Sequence, residues 1–129
     1  MTIAYRCDHL HLRSTDAAAA AAFYVEAMGA RETARMPVRD RLRVILDLGG
    51  LTVFIEEVPA DTVRAPAAPF VGIEHIGLAV DDLDVALAAH RARGTRITSE
   101  VQQVRPGLRI AFLEGPDGVV LELLERRAG

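Results

Sequence analysis

The chain has no lysine; all fifteen of its basic residues are arginine. A Schiff base on a lysine side chain is therefore excluded as its chemistry. It has one cysteine, Cys7, so no internal disulfide can form. Nothing beside Cys7 suggests thiol catalysis, and the residue reads as a small buried apolar group in a reducing compartment. No apolar run approaches the length that crosses a bilayer, and the opening MTIAYRCDH lacks the apolar core of a signal peptide. There is neither a basic block nor an acidic tail, and the formal net charge is −3. That balance argues against nucleic acid or an anionic membrane surface as a main partner. These absences together predict a cytoplasmic protein.

What is present is enough for one compact domain over residues 1–129. Half of the 129 residues are hydrophobic and 26% are charged, an ordinary balance for a chain able to bury a core. The chain is also written twice. CDHLHLRSTD (7–16) resembles IEHIGLAVDD (73–82), which matches His9 to His75 and Asp16 to Asp82 at an offset of 66. An alanine-rich stretch follows in each half, and Leu42-Arg43-Val44 then matches Leu108-Arg109-Ile110 at the same offset. Each half closes on an apolar strand, LTVFIEEV (51–58) and VVLELLER (119–126). Three prolines mark 59–72 as a linker between a first module, 1–58, and a second, 73–126. Each module reads strand, helix, then three strands. Asp16 or Thr15, and Asp81 or Asp82, are placed to cap the helices; Gly29 and Gly94 are placed to stop them.

Side chains alternate across a strand, so parity assigns faces. Ile76, Leu78 and Val80 take the helix side in the strand expected over 73–80, leaving His75, Gly77 and Ala79 on the other. In the first module His9, His11 and Arg13 share that second face. Thr52, Phe54 and Glu56 join them from the closing strand, as Val120, Glu122 and Leu124 do in the second module. A carboxylate between two aliphatic side chains is costly unless it is paired or binds a metal. His9, His75 and Glu122, with Glu56 as a fourth candidate, make a nitrogen–oxygen donor set for one divalent ion. His75 to Glu122 and His9 to Glu56 both span 47 residues. Aligning Gly50 with Gly118 instead pairs Phe54 with Glu122. If Glu56 is not a ligand, the set is two histidines and one carboxylate with open positions.

On the strength of EHIGLAVDDL, PDGVVLELLE and the repeated strand–helix–three-strand unit, the chain resembles the vicinal oxygen chelate superfamily over nearly its whole length. That group includes glyoxalase I, methylmalonyl-CoA epimerase, extradiol dioxygenases, fosfomycin-resistance enzymes and metal-free bleomycin-binding proteins. The resemblance implies an α+β fold of two tandem βαβββ modules, a curved, mostly antiparallel sheet around a metal-binding cavity. It places His9, His75 and Glu122 on metal-ligand positions, with Glu56 the candidate fourth. The short length and the openings look most like the epimerase and glyoxalase I members. The implied cofactor is one nickel, cobalt, manganese, zinc or iron ion, and the implied partner is a small-molecule substrate.

The chemistry such a site performs is proton abstraction next to a carbonyl, as in a metal-dependent lyase or isomerase, with Glu122 or Glu56 as the base. A non-haem iron dioxygenase and a non-catalytic drug-resistance binding protein are the alternatives. Among the remaining residues, His11 reads as a substrate contact or a polar rim residue, and His90 as surface or packing. Arg13, Arg43 and Arg109 read as anion-binding or structural. Glu57 and Glu125, near equivalent strand ends, read as solvent-exposed. Sheet edges that need covering predict a homodimer.

Overall fold

The structure is a computed structural model that describes residues 1–128. The chain divides into two compact units, Met1–Thr62 and Val63–Gly129. The first contains β1 (Leu10–Ser14), α1 (Ala17–Met28), β2 (Arg31–Val38), β3 (Arg41–Leu48) and β4 (Leu51–Glu57). The second contains β5 (Ile76–Ala79), α2 (Leu83–Ala92), β6 (Ile97–Arg105), β7 (Leu108–Glu114), a single 3-10 turn at Pro116–Gly118, and β8 (Val120–Arg126). Each unit forms one four-stranded mixed sheet, ordered β1-β4-β3-β2 and β5-β8-β7-β6. The first and last strands of each unit pair in parallel, and the other two pairings are antiparallel. The fold is α+β, two βαβββ modules in tandem.

The helices form where the sequence caps them. Asp16 and Asp82 are the N-caps, and their carboxylates accept from the N–H groups of Ala19 and Val85, each at 3.0 Å. Gly29 ends α1 in the left-handed conformation, φ 71°, which costs a residue without a Cβ nothing. Ala17, Ala20, Ala21 and Tyr24 recur at helical spacing and are buried. Leu83, Leu87 and His90 hold the corresponding face of α2. His90 is a packing residue: 4% exposed, with Nδ1 3.3 Å from the Thr95 hydroxyl. Burial, and then the charge of Arg93, lower its pKa.

Strand parity holds. Val53 and Ile55 of β4, and Leu121 and Leu123 of β8, are buried with the helix-facing residues. Each fully buried aliphatic side chain contributes about 1.5–3 kcal/mol. The uniform repeat offset does not hold. Leu10 pairs with Val53 and Ile76 with Leu121, so the closing strands correspond at an offset of 68 while the opening strands keep 66. Val53 pairs with Leu46 and Leu121 with Leu113, so β3 and β7 correspond at 67. One residue is gained before β7 and another in the longer β7–β8 turn. A one-residue slip moves a side chain to the other face of a sheet. Arg43 and Arg109 are therefore not counterparts. Arg43 stands on the open face, whereas Arg109 lies on the helix side and bonds Asp84 of α2.

Two further expectations are corrected. Cys7 is exposed, because residues 1–9 precede β1 and join no strand. His75 likewise lies one residue before β5, so the strand starts later than the expected residue 73.

Candidate functional site

In the second unit, Glu122 sits at the middle of β8, opposite Gly77 of β5. Its side chain is only 14% exposed, and a Cβ added at Gly77 would come to 3.5 Å from its Oε1. His75 Nε2 is 3.8 Å from that same oxygen, too far for a hydrogen bond. Phe112 presents its ring edge-on to the imidazole at 5.4 Å between centroids. His75 Nδ1 is enclosed with no hydrogen-bond partner; the Glu74 carboxylate is 3.5 Å away, an ion-pair distance. A single ion with bonds of ~2.0–2.2 Å to nitrogen and oxygen spans up to ~4.2 Å, so it can take both Nε2 and Oε1. Imidazole and carboxylate suit zinc, nickel, cobalt, manganese or iron alike.

In the first unit, His9 stacks face to face on Phe54, with centroids 4.2 Å apart and planes within 7°. Its Nδ1 is 2.6 Å from the Asp8 carboxylate. A carboxylate oxygen accepts, so this contact fits the tautomer with its hydrogen on Nδ1, which leaves the lone pair of Nε2 available. The two histidines thus share one device: an acidic residue immediately before each addresses Nδ1. The register makes Phe54, not Glu56, the counterpart of Glu122. Glu56 lies two residues further along β4, where its Oε2 accepts from His11 Nε2 at 2.6 Å and lies 3.9 Å from Arg43 Nη2. The Arg43 guanidinium lies over the Phe54 ring, 5.6 Å from its centre.

Besides these contacts between chain neighbours, each unit brings one histidine to a carboxylate distant in sequence: His11 to Glu56, and His75 to Glu122. Among the described residues, no group of three or more His, Cys, Asp or Glu is gathered closely enough to hold an ion. His11 is the residue whose partner the sequence did not reveal, because its bond to Glu56 crosses between strands 45 residues apart.

Glu57 and Glu125 depart most from expectation. Glu125 is buried and Glu57 half-buried. Glu125 is 2% exposed and accepts from the N–H of Leu83 at 2.8 Å, at the start of α2. Arg109 and Arg127 bind it as well. Those donors, the Leu83 N–H first and Arg109 next, hold its carboxyl at about 2 despite burial. Arg109 is in turn pushed further up by Asp84 and then Glu125. Glu57 is the same device in weaker form, accepting from Ala17 N–H at 3.4 Å at the start of α1. A carboxylate there meets free backbone donors and the positive end of the helix dipole.

A family model described as Glyoxalase/Bleomycin resistance protein/Dioxygenase superfamily matches residues 6–123. The uncharacterized protein YaeR of Escherichia coli strain K12 is 30% identical over 125 residues, which cover 92% of this chain and 94% of YaeR. A probable chloroplastic lactoylglutathione lyase of Arabidopsis thaliana is 43% identical over 56 residues, 43% of this chain but only 16% of the lyase. Among solved structures, the genomically encoded fosfomycin resistance protein FosX of Listeria monocytogenes superposes with a TM-score of 0.77. That match covers 97% of this chain and 96% of FosX at 18% identity, so it speaks for the fold alone.

Proposed function

The chain belongs to the glyoxalase/bleomycin resistance protein/dioxygenase superfamily, and on that premise we propose that it is a metal-dependent lyase or isomerase of the glyoxalase I or methylmalonyl-CoA epimerase type. It removes a proton next to a carbonyl of a small metabolite. His9, His75 and Glu122 hold one divalent ion, and the two modules work as a single domain in the cytoplasm. The observation that carries this reading is the pair His75–Glu122, set 3.8 Å apart with no hydrogen bond between them and an enclosed, unpartnered Nδ1 behind. A half-buried imidazole and carboxylate left in this state are costly unless a third group joins them.

A divalent ion, when bound, supplies electrophilic stabilisation for negative charge on substrate oxygens. The chain's own residues supply the proton transfer. Glu122 takes the α-proton onto its carboxylate, and the C–H electron pair moves toward the carbonyl. A proton is then returned to carbon by Glu122 or by Glu56. Glu56 remains the candidate fourth ligand as well, but its 2.6 Å bond to His11 favours the acid–base role, because that imidazole can itself pass it a proton.

A second reading is favoured by Phe54. Phe54 in place of a carboxylate leaves two histidines and one carboxylate, the donor set of non-haem iron(II) oxygenases. The deciding experiment uses the full chain loaded with each metal in deuterated water. Deuterium washing into the α position of carbonyl substrates supports proton abstraction. Oxygen uptake with a catechol, and no such exchange, replaces it with the dioxygenase. Failure to bind any divalent ion removes both and leaves a non-catalytic binding protein. We also propose a homodimer, since each sheet has two edge strands. Sedimentation showing only the 14.0 kDa chain at high concentration counts against it.

A further inference from the structure

Arg43 and Arg109 are almost equally enclosed, their side chains 25% and 27% exposed. Arg109 is fully engaged: its Nη2 donates to Asp84 at 2.9 Å, and its Nε and Nη2 donate to Glu125 at 3.2 and 3.3 Å. Arg43 makes no hydrogen bond to another described residue. Its Nε is enclosed without a partner, and the nearest carboxylate oxygen, Glu56 Oε2, stands 3.9 Å from Nη2. That oxygen is already bound by His11 at 2.6 Å. Phe54 supports the guanidinium through its ring, a contact that leaves the N–H donors unused.

A guanidinium is always charged and carries five donors in a planar fork that fits an oxyanion at two points. Keeping three-quarters of it out of water without a hydrogen bond is unfavourable, and a site that tolerates this does so for a partner not part of the chain. We propose that Arg43 is an anchor for an oxyanion, a carboxylate or a phosphate, on the open face of the first unit. Arg41 lies on the same strand and face, and Arg13 lies directly across from Glu56 in register. Arg13, Arg41 and Arg43 thus stand around Glu56, while Asp47, further along the same face, is already paired with Arg31. The matching face of the second unit presents Ile110, Phe112, Val120 and Leu124 around Glu122, and its arginines, Arg105 and Arg126, stand at the far end beside Leu108. Taking the anion to be part of the substrate rests on the proposed function; the anchor itself does not.

The test uses the full chain with a chelator present, titrated with malonate or with inorganic phosphate against sodium chloride of equal ionic strength. The parent is expected to gain thermal stability with one of the two oxyanions, and the Arg43 Nε–H resonance is expected to move during the same titration. The oxyanion that acts distinguishes a carboxylate from a phosphate group. Arg43→Met, which keeps the bulk but not the donors, is expected to bind that anion ~10–100-fold more weakly, the loss typical of charged hydrogen bonds. Without anion the variant is expected to be at least as stable as the parent, because it removes an enclosed charge that makes no hydrogen bond. Two results overturn the proposal: neither oxyanion acting on the parent beyond chloride, or Arg43→Met binding as the parent does. Metal titration separates this from the reading above. A parent that binds the oxyanion but no divalent ion keeps the anchor and loses the enzyme; a parent that binds metal but no oxyanion does the reverse.

Discussion

The two units share a topology and diverge at the places where side chains meet. On the open face, the second unit sets one carboxylate, Glu122, beside one imidazole among apolar neighbours. The first unit puts Phe54 at the corresponding position and stacks His9 upon it. Its carboxylate, Glu56, is displaced by two residues and bonded to a different histidine. On the helix face the contrast runs the other way. Glu125 and Glu57 take the same task at the start of a helix, but only Glu125 is buried and bound by arginines. A repeated backbone thus holds its helix contacts in common and varies the open face, where the proposed chemistry lies.

The comparison predicts unequal roles for the two open-face carboxylates, and the largest effect tests that first. Glu122→Gln is expected to slow α-proton exchange by ~10²–10⁴-fold, the usual contribution of a general base. Glu56→Gln should slow exchange less and on one face of the substrate more than the other. Full turnover in Glu56→Gln would leave Glu56 a rim residue. Next, His75→Ala is expected to weaken divalent-ion binding by at least ~10–100-fold, the range for groups that merely support a ligand. Calorimetry giving the parent's affinity would remove His75 from the site.

The helix-face contrast is read through stability. The Glu125 carboxyl is held at about 2 against an ordinary 4.5. A lowered value stabilises the folded chain fully above pH 4.5, and that stabilisation is lost as the pH falls toward 2. Glu125→Gln is therefore expected to lower Tm at neutral pH and to flatten the fall in Tm between those pH values. An unchanged acid limb would mean that Glu125 is not the group responsible. The smallest effect is expected for Glu57→Gln. Its contact is longer and half-exposed, so about 0.5–1 kcal/mol is at stake, as for an ordinary helix cap. Denaturant unfolding that ranks Glu57 above Glu125 would reverse the comparison.

Local chemistry made much of this legible from the chain alone. Alternation placed Leu121 and Leu123 beneath the helix and Glu122 on the open face. Asp16, Asp82 and Gly29 marked helix ends, because a cap needs only a side-chain oxygen or a missing Cβ a few residues away. The paired His9 and His75 were visible because the opening strand and helix of each module keep a constant offset. Beyond the helices that offset drifts from 66 to 67 to 68, and each added residue reverses a face or moves a partner. Only the pairing of strands decided that Phe54 answers Glu122, that Arg43 and Arg109 lie on opposite faces, and that Glu56 reaches His11. The exposure of Cys7 and the burial of Glu125 were decided in the same way. Cys7 lies in a stretch that finds no neighbouring strand, and Glu125, one residue before the end of its strand, meets the first N–H of a helix that begins 42 residues earlier. Periodicity acts between neighbours in the chain and can be read there; register is set by turn lengths and by contacts between distant segments, which exist only once the chain has folded.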